Sequence, residues 1–436
     1  MEKKDLHIDY TSEKAVFSKL ISSNQISWIA PESIPPRASF HELLATALRN
    51  PINSGALKDE KAKRIALIVA DATRLTCPFI SQLLQLSREK TDEVEIVIAC
   101  GSHKSPETDY LEKILGDDLF CKSWFRVRAS STQNPLIRYE HVGTTTRGTE
   151  VELDKELLEA DLILSSMNIR AHYFAGWEGG AKALLPGCSS TKSIAQNHSY
   201  ALDYEDAREL KIDGNPIRED INEVPEILKK KHGITHRIVD FVANSDDQII
   251  EIAYGEPVST HKLLADICKS IYAVKAAPSP LAITVAEGPL GRNFYQALKA
   301  CSHSINILEA KDGFRPVVIL VASLVDGIGS PIFEKELERY AHMDREDIVK
   351  DLNERSEQGH FNEVVEKIYR LAMDGIKRDY ITVGPEAPEE LERLLRKVGI
   401  KFYRDLDDAL SSLRPGLLSQ HVNIIPRGAS TVAIPK

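Results

Sequence analysis

The sequence predicts an α/β protein of two domains, on three observations. Short continuous apolar runs, the pattern of strands buried on both faces, recur along the chain, each followed by a helical pattern. Polar residues cluster just after the first three of these runs, where an open α/β sheet binds its ligands. A stretch rich in small residues and proline, AVKAAPSPLAIT (273–284), interrupts the alternation before it resumes.

In chain order, IALIVAD (65–71) reads as the first buried strand, and PFISQLLQLSREK behind it as an amphipathic helix. VEIVIACG (94–101) repeats the pattern with SPETDYLEKILG as its helix, and DLILSSMNI (161–169) supplies a third strand. Between 236 and 254 two apolar runs flank a polar NSDD turn, which predicts a hairpin, and a helix is expected from about Pro257. The proline-containing stretch reads as a linker, so the expected domains are 1–275 and 276–436. The second has its own alternation in LAITVAEG, NFYQALKACSHSI and PVVILVASL, giving both halves a Rossmann-like α/β character.

At 436 residues the chain is long enough for two or three domains with a substantial core. Hydrophobic residues at 42 %, charged residues at 28 % and a mean hydropathy of −0.24 place it among soluble globular proteins. No apolar run approaches the roughly 20 residues of a membrane-spanning helix, and the N-terminal stretch lacks the apolar centre of a secretory signal. A cytoplasmic protein is expected. The net charge of −10, with both signs interspersed, argues against a nucleic-acid partner. Six cysteines without a CxxC pair predict reduced thiols.

Asp71-Ala-Thr-Arg74 follows the first strand, Gly101-Ser-His103-Lys104 the second, and Asn168-Ile-Arg170-Ala-His172 the third. Asp71 would serve equally as a helix cap, and Arg74 as a surface cation. If the strands are neighbours, however, His103 and His172 converge on one crevice, and histidine is the side chain able to act as acid or base near neutrality. The densest segment is HYFAGWEGGAKALLPG (172–187), followed by Asn197-His198. Gly176, Gly179 and Gly180 allow close approach to a bound group, and a Gly-rich turn opening a helix offers free N–H groups to an anion. The spacing is not that of a nucleotide-binding P-loop, since Lys182 is followed by Ala183. His198 has none of the usual metal-ligand spacings around it, so a metal there needs donors the protein does not supply.

Together DATRLTCP (71–78), GSHK (101–104), the 172–187 segment, NH (197–198), GNPIRED (214–220) and GRNFYQALKA (291–300) resemble the lactate racemase family. The resemblance implies an isomerase that inverts C2 of a 2-hydroxy acid, lactate or a related acid, by proton-coupled hydride transfer. The implied cofactor is a nickel-pincer nucleotide (pyridinium-3,5-bisthiocarboxylic acid mononucleotide nickel) joined covalently to Lys182. Its sulfur and carbon donors would hold the metal, with His198 completing the set. It further implies His103 and His172 as the acid–base pair, Asp71, Thr73, Gly179 and Gly180 around the cofactor, and Arg74, Tyr295, Gln296 and Lys299 at the substrate. The site is then expected in the cleft between the domains. The cofactor's biosynthesis proteins would be transient partners, and protein made without them is expected to be the apoprotein. The alternatives are a sugar-acid C2 epimerase with the same cofactor, a zinc hydrolase using His103, His172 and His198, and a non-catalytic carboxylate-binding paralogue.

Overall fold

The computed structural model describes residues 6–11, 13–21, 25–106, 110, 124–362 and 364–436. Cys121 and most of the helix expected over 105–116 lie outside the described residues. Two compact units are formed, Ser33–Ser270 and a second that joins Met1–Glu32 to Ile271–Lys436. The division falls at 270/271, and the N-terminal segment goes with the C-terminal half rather than with the residues that follow it. There β1 (Leu6–Asp9) and β2 (Ala15–Ser18) pair antiparallel, and β3 (Ile26–Trp28) aligns parallel with Val422–Ile424. A three-residue strand has no periodicity to betray it; its backbone groups find partners only through that distant strand.

The Ser33–Ser270 unit begins with α1 (Phe40–Arg49), whose start is set by a reciprocal cap between Ser39 and Glu42. Its strands are β4 (Arg64–Ala70), β5 (Glu93–Gly101), β6 (Phe125–Ser131), the hairpin β7 (Tyr139–Thr144) and β8 (Glu150–Asp154), β9 (Leu162–Ser166), the short pair β10 (Ala171–His172) and β11 (Gly176–Trp177), β12 (Thr235–Ala243) and β13 (Ile249–Gly255). The central sheet runs β13-β12-β9-β4-β5-β6, parallel except for β13, which forms the expected hairpin with β12.

Alternation along the strands explains the continuous apolar runs. Ala66, Ile68, Val97 and Ile163 face a core that includes Tyr173, Phe174, Ala183 and Leu184. Ile65, Leu67, Ile96, Ile98 and Leu164 face the opposite core with Leu83 and Leu84 of α2 (Ile80–Arg88). Three more helices frame the unit: α3 (Thr191–Ser199), α4 (Pro216–His232) and α5 (Pro257–Tyr272). The second of these has its limits written in sequence: Asn215 caps it, Pro216 occupies its first turn and Gly233 ends it at φ +71°.

In the other unit the expected linker is partly strand. β14 (Ala273–Ala276) pairs with the C-terminal Val432–Pro435. A six-stranded parallel sheet is built from β3, β15 (Leu281–Val285), β16 (Val317–Val321), β17 (Asp379–Val383), β18 (Lys401–Tyr403) and β19 (Val422–Ile425), in the order β18-β17-β16-β15-β19-β3. Its helix α6 (Phe294–Ser304) starts at Asn293, whose side chain accepts from the Gln296 N–H. Among the described residues no helix is long and apolar enough to cross a membrane.

Candidate active site

Strands β5, β4 and β9 lie side by side, so the polar residues after them share one edge of the sheet. Gly101 ends β5 at φ +53°, leading into the loop that bears His103, and its N–H donates to Gly187 O at 2.9 Å. His103 Nδ1 lies 2.6 Å from Asp71 Oδ2. The other Asp71 oxygen accepts from Thr73 N at 2.9 Å and Thr73 Oγ1 at 2.5 Å. Burial alone would raise the Asp71 pKa, but the charge and hydrogen bond of His103, with help from Arg74 and Thr73, outweigh it and hold the carboxyl below the ordinary range. A carboxylate only accepts, so Nδ1 of His103 carries the proton it donates to Asp71, and in the neutral form of the ring Nε2 has the lone pair.

Arg74 connects this strand end to the 172–182 segment. Its guanidinium donates to Thr73 Oγ1, and its Nε lies 3.5 Å from Glu178 Oε2. In the segment itself His172 Nδ1 accepts from Ala175 N–H at 3.2 Å, which leaves the proton of a neutral ring on Nε2. The Phe174 ring gathers three of the predicted residues: His172 meets it edge-on at 4.5 Å between centroids, His198 of α3 at 4.9 Å, and the half-buried Lys182 has its Nζ 5.9 Å from the ring centre.

The glycines meet a packing demand within the protein itself. A Cβ on Gly176 would lie 1.9 Å from Lys211 O; on Gly179 it would meet Ile169, and on Gly180 the His261 ring. All three have positive φ. Packing within the protein therefore accounts for them, and the Gly180 N–H is not offered to an anion because Asp240 Oδ2 takes it at 2.7 Å. Gly176→Ala combines a left-handed backbone with a clash against backbone, and is expected to cost at least about 2 kcal/mol in chemical denaturation.

Sequence reasoning missed the buried polar frame behind the segment. Arg218 of α4 donates to the carbonyls of Ala175 at 3.1 Å and Gly179 at 3.3 Å, and also to that of Trp177. Asn215 donates to Phe174 O at 2.8 Å, and His261 of α5 lies 2.9 Å from Glu178 O. Asp240 of β12 accepts from Met167 N at 2.9 Å as well as from Gly180. Burial pushes its carboxyl up to about 7, against the lowering effect of these N–H groups and of Arg218. Burial pulls Arg218 down to about 9, which leaves it charged at neutral pH. Behind α3, Asp220 accepts from Asn197 Nδ2 and Thr149 Oγ1, each at 2.8 Å, and from Thr145. GNPIRED was the available signal, since Asn215, Arg218 and Asp220 all lie in it.

Tyr295, Gln296 and Lys299 lie on α6, in the other unit. Tyr295 packs edge-on against Phe333 at 5.2 Å, with the Lys367 ammonium 4.1 Å from its ring centre, and Lys299 is buried. Among the described residues no group of three His, Cys, Asp or Glu side chains is placed to hold a metal, so the three-histidine zinc site is not formed.

Comparison with known proteins agrees with this reading of the segments. Residues 11–209 match the family model of the lactate racemase N-terminal domain. The chain is 31 % identical over 304 residues to a lactate racemase of Thermoanaerobacterium thermosaccharolyticum, covering 68 % of each protein. It is 28 % identical over 309 residues to a lactate racemase of Lactiplantibacillus plantarum, covering 69 % of this chain and 70 % of the relative. The lactate racemase apoprotein structure from Thermoanaerobacterium thermosaccharolyticum superposes with a TM-score of 0.83 at 25 % identity, over 99 % of this chain and all of that one. A Thermotoga maritima protein shares the fold, with a TM-score of 0.71 at 16 % identity over 93 % of this chain and 100 % of its own. With this identity and coverage, the chain belongs to the lactate racemase family and is a racemase-type isomerase.

Proposed function

We propose that this protein inverts C2 of a 2-hydroxy acid by proton-coupled hydride transfer, using a nickel-pincer nucleotide carried on Lys182. The observation that carries the reading is the gathering of Lys182, His172 and His198 around the Phe174 ring, in a segment whose Glu178 is joined through Arg74 to the Asp71–His103 pair. An amine for covalent attachment and a separate imidazole for the metal are the groups that this cofactor asks of a protein, and both are present. When bound, it supplies the hydride acceptor that a barely acidic α C–H requires.

The chain's own residues handle protons and orientation. Arg74 is the cation that pairs with the substrate carboxylate. His103, its Nδ1 held by Asp71, presents the Nε2 lone pair to the substrate hydroxyl. His172 presents an Nε2–H to substrate oxygen; to act as base for the opposite enantiomer it must first release Ala175. Thr73 and the Gly179–Gly180 turn border the cofactor, and Tyr295, Gln296 and Lys299 are assigned to the substrate pocket. A cytoplasmic location fits the described cysteines, Cys77, Cys100, Cys188, Cys268 and Cys301, which are buried thiols outside any disulfide.

Intact mass and metal content of protein from cells that also make the cofactor test this directly. The expected result is a covalent adduct with about one nickel and inversion of single-enantiomer 2-hydroxy acids. Lys182→Ala should lose the adduct, whereas His198→Ala should keep it and lose the nickel. An adduct that survives Lys182→Ala, or no adduct and no nickel in the wild type, overturns the reading.

A further inference from the structure

We propose that Lys367 is a positioning residue for substrate binding, acting through Tyr295, whose backbone and ring it holds together. The inference deepens the proposed function and rests on its assignment of Tyr295 to the substrate pocket. Lys367 lies in the first turn of α8 (Val365–Lys377), in the same unit as α6. Its Nζ donates to Tyr295 O at 2.5 Å and stands 4.1 Å from the centre of the Tyr295 ring, and the residue is only 5 % exposed. The ring also packs edge-on, at 5.2 Å between centroids, against the fully buried Phe333 of α7 (Pro331–Arg339). The chain just before is gripped too: the Phe294 N–H donates to Gly327 O at 2.9 Å and the Tyr295 N–H to Ile328 O at 3.1 Å. One ammonium thus fixes the carbonyl from which the side chain departs and the face of the ring it carries.

Stability alone is a poor reason for a lysine here. Burying an ammonium costs free energy that an apolar side chain would not lose. Cations are favoured at the C-terminal ends of helices, whereas this one stands in the first turn of α8 and bonds the first turn of α6. Residues that break such local rules cluster at functional positions. What the ammonium supplies is a fixed ring: a cation over the face of a tyrosine is attracted to it, and the hydrogen bond to the carbonyl removes the freedom of the backbone beneath. A tyrosine held in advance spends less entropy when the acid binds. Because Tyr295 is assigned to orientation rather than proton transfer, the loss of its support belongs in KM and not in kcat.

The test uses cofactor-loaded enzyme and whichever of lactate and a six-carbon aldonic acid, each as a single C2 epimer, the wild type inverts faster. Lys367→Met, which keeps the apolar stem, should raise KM at least about fivefold and leave kcat within about twofold. Lys367→Arg, still a cation able to face the ring and bond the carbonyl, should recover part of that loss. In a Tyr295→Phe background the effect of Lys367→Met should shrink to less than about twofold, because no phenol remains to be aimed. Lys367→Gln, which keeps a donor for the carbonyl without the charge, serves if melting curves show that the apoprotein of Lys367→Met does not fold, and its KM should rise in the same direction. An unchanged KM in the folded variant, or the same rise in both backgrounds, overturns the inference and leaves the proposed function intact. Failure of the loaded wild type to invert either acid overturns both.

Discussion

His103→Ala is expected to lower the rate of 2-hydroxy acid inversion by about 10²–10⁴-fold, the usual contribution of a positioned general acid or base, with the Lys182 adduct and nickel content unchanged. The separation of those two readouts follows from the geometry. His103 is held through Asp71 at the end of β4, whereas Lys182 and His198 are held through the Phe174 cluster. His172→Ala should give a loss of the same order, but it also removes a ring packed on Phe174, so a small loss of nickel is tolerable there and none is at His103. Asp71→Asn provides the finer test. An amide can turn either its oxygen or its NH₂ toward His103, so the tautomer that leaves Nε2 free is no longer enforced, and kcat should fall by an order of magnitude or more while KM moves little. If Asp71→Asn changed KM alone, Asp71 would belong to the substrate pocket and not to the acid–base pair. Loss of nickel from His103→Ala equal to its loss of turnover would make His103 a ligand.

How far these roles could be read in the sequence depends on how local their causes are. IALIVAD and VEIVIACG betray buried parallel strands because both faces of each strand must be apolar, and a ligand site beyond their ends is a property of such sheets. That β5, β4 and β9 are neighbours is a tertiary fact which the sequence could only pose as a condition. The frame behind the site was harder still. Arg218, Asp240 and His261 sit on a helix, a strand and another helix, where a charged residue ordinarily means a solvated face; only pairing across the fold shows that they hold the backbone of 175–180. Glu178 was visible as a residue whose role was open, and its contact with Arg74 is a tertiary fact of the same kind. Strand β3 escaped notice for the same reason as the frame: the partner of Ile26–Trp28 is some 400 residues away.

Arg218→Met should destabilise the protein by about 3–5 kcal/mol, the cost of removing one member of a buried charged set. Three backbone carbonyls, those of Ala175, Trp177 and Gly179, lose their donor at once, and Asp240 loses the one cation that favours its ionised form. Arg218→Lys should recover little, because a single ammonium cannot reach three carbonyls that a planar fork spans. The pH dependence identifies the cause. Asp240 has a native pKa raised from 3.8 to about 7, so between those values the native state holds a proton that the unfolded chain has released. The stability this group contributes is therefore complete below pH 4 and is lost as pH rises toward 7, at up to about 1.4 kcal/mol per pH unit. Asp240→Asn removes that slope, and it costs one backbone hydrogen bond, since an amide has a single acceptor for the two N–H groups of Met167 and Gly180. Arg218→Met moves the slope the other way: without the guanidinium the Asp240 carboxyl rises further, and the loss of stability continues above pH 7. Urea denaturation of the three apoproteins at pH 5, 7 and 8 resolves these cases. An Arg218→Met protein whose stability difference from wild type is the same at all three values would show that the two charges do not sense each other, and that the 175–180 backbone is held by hydrogen bonds alone.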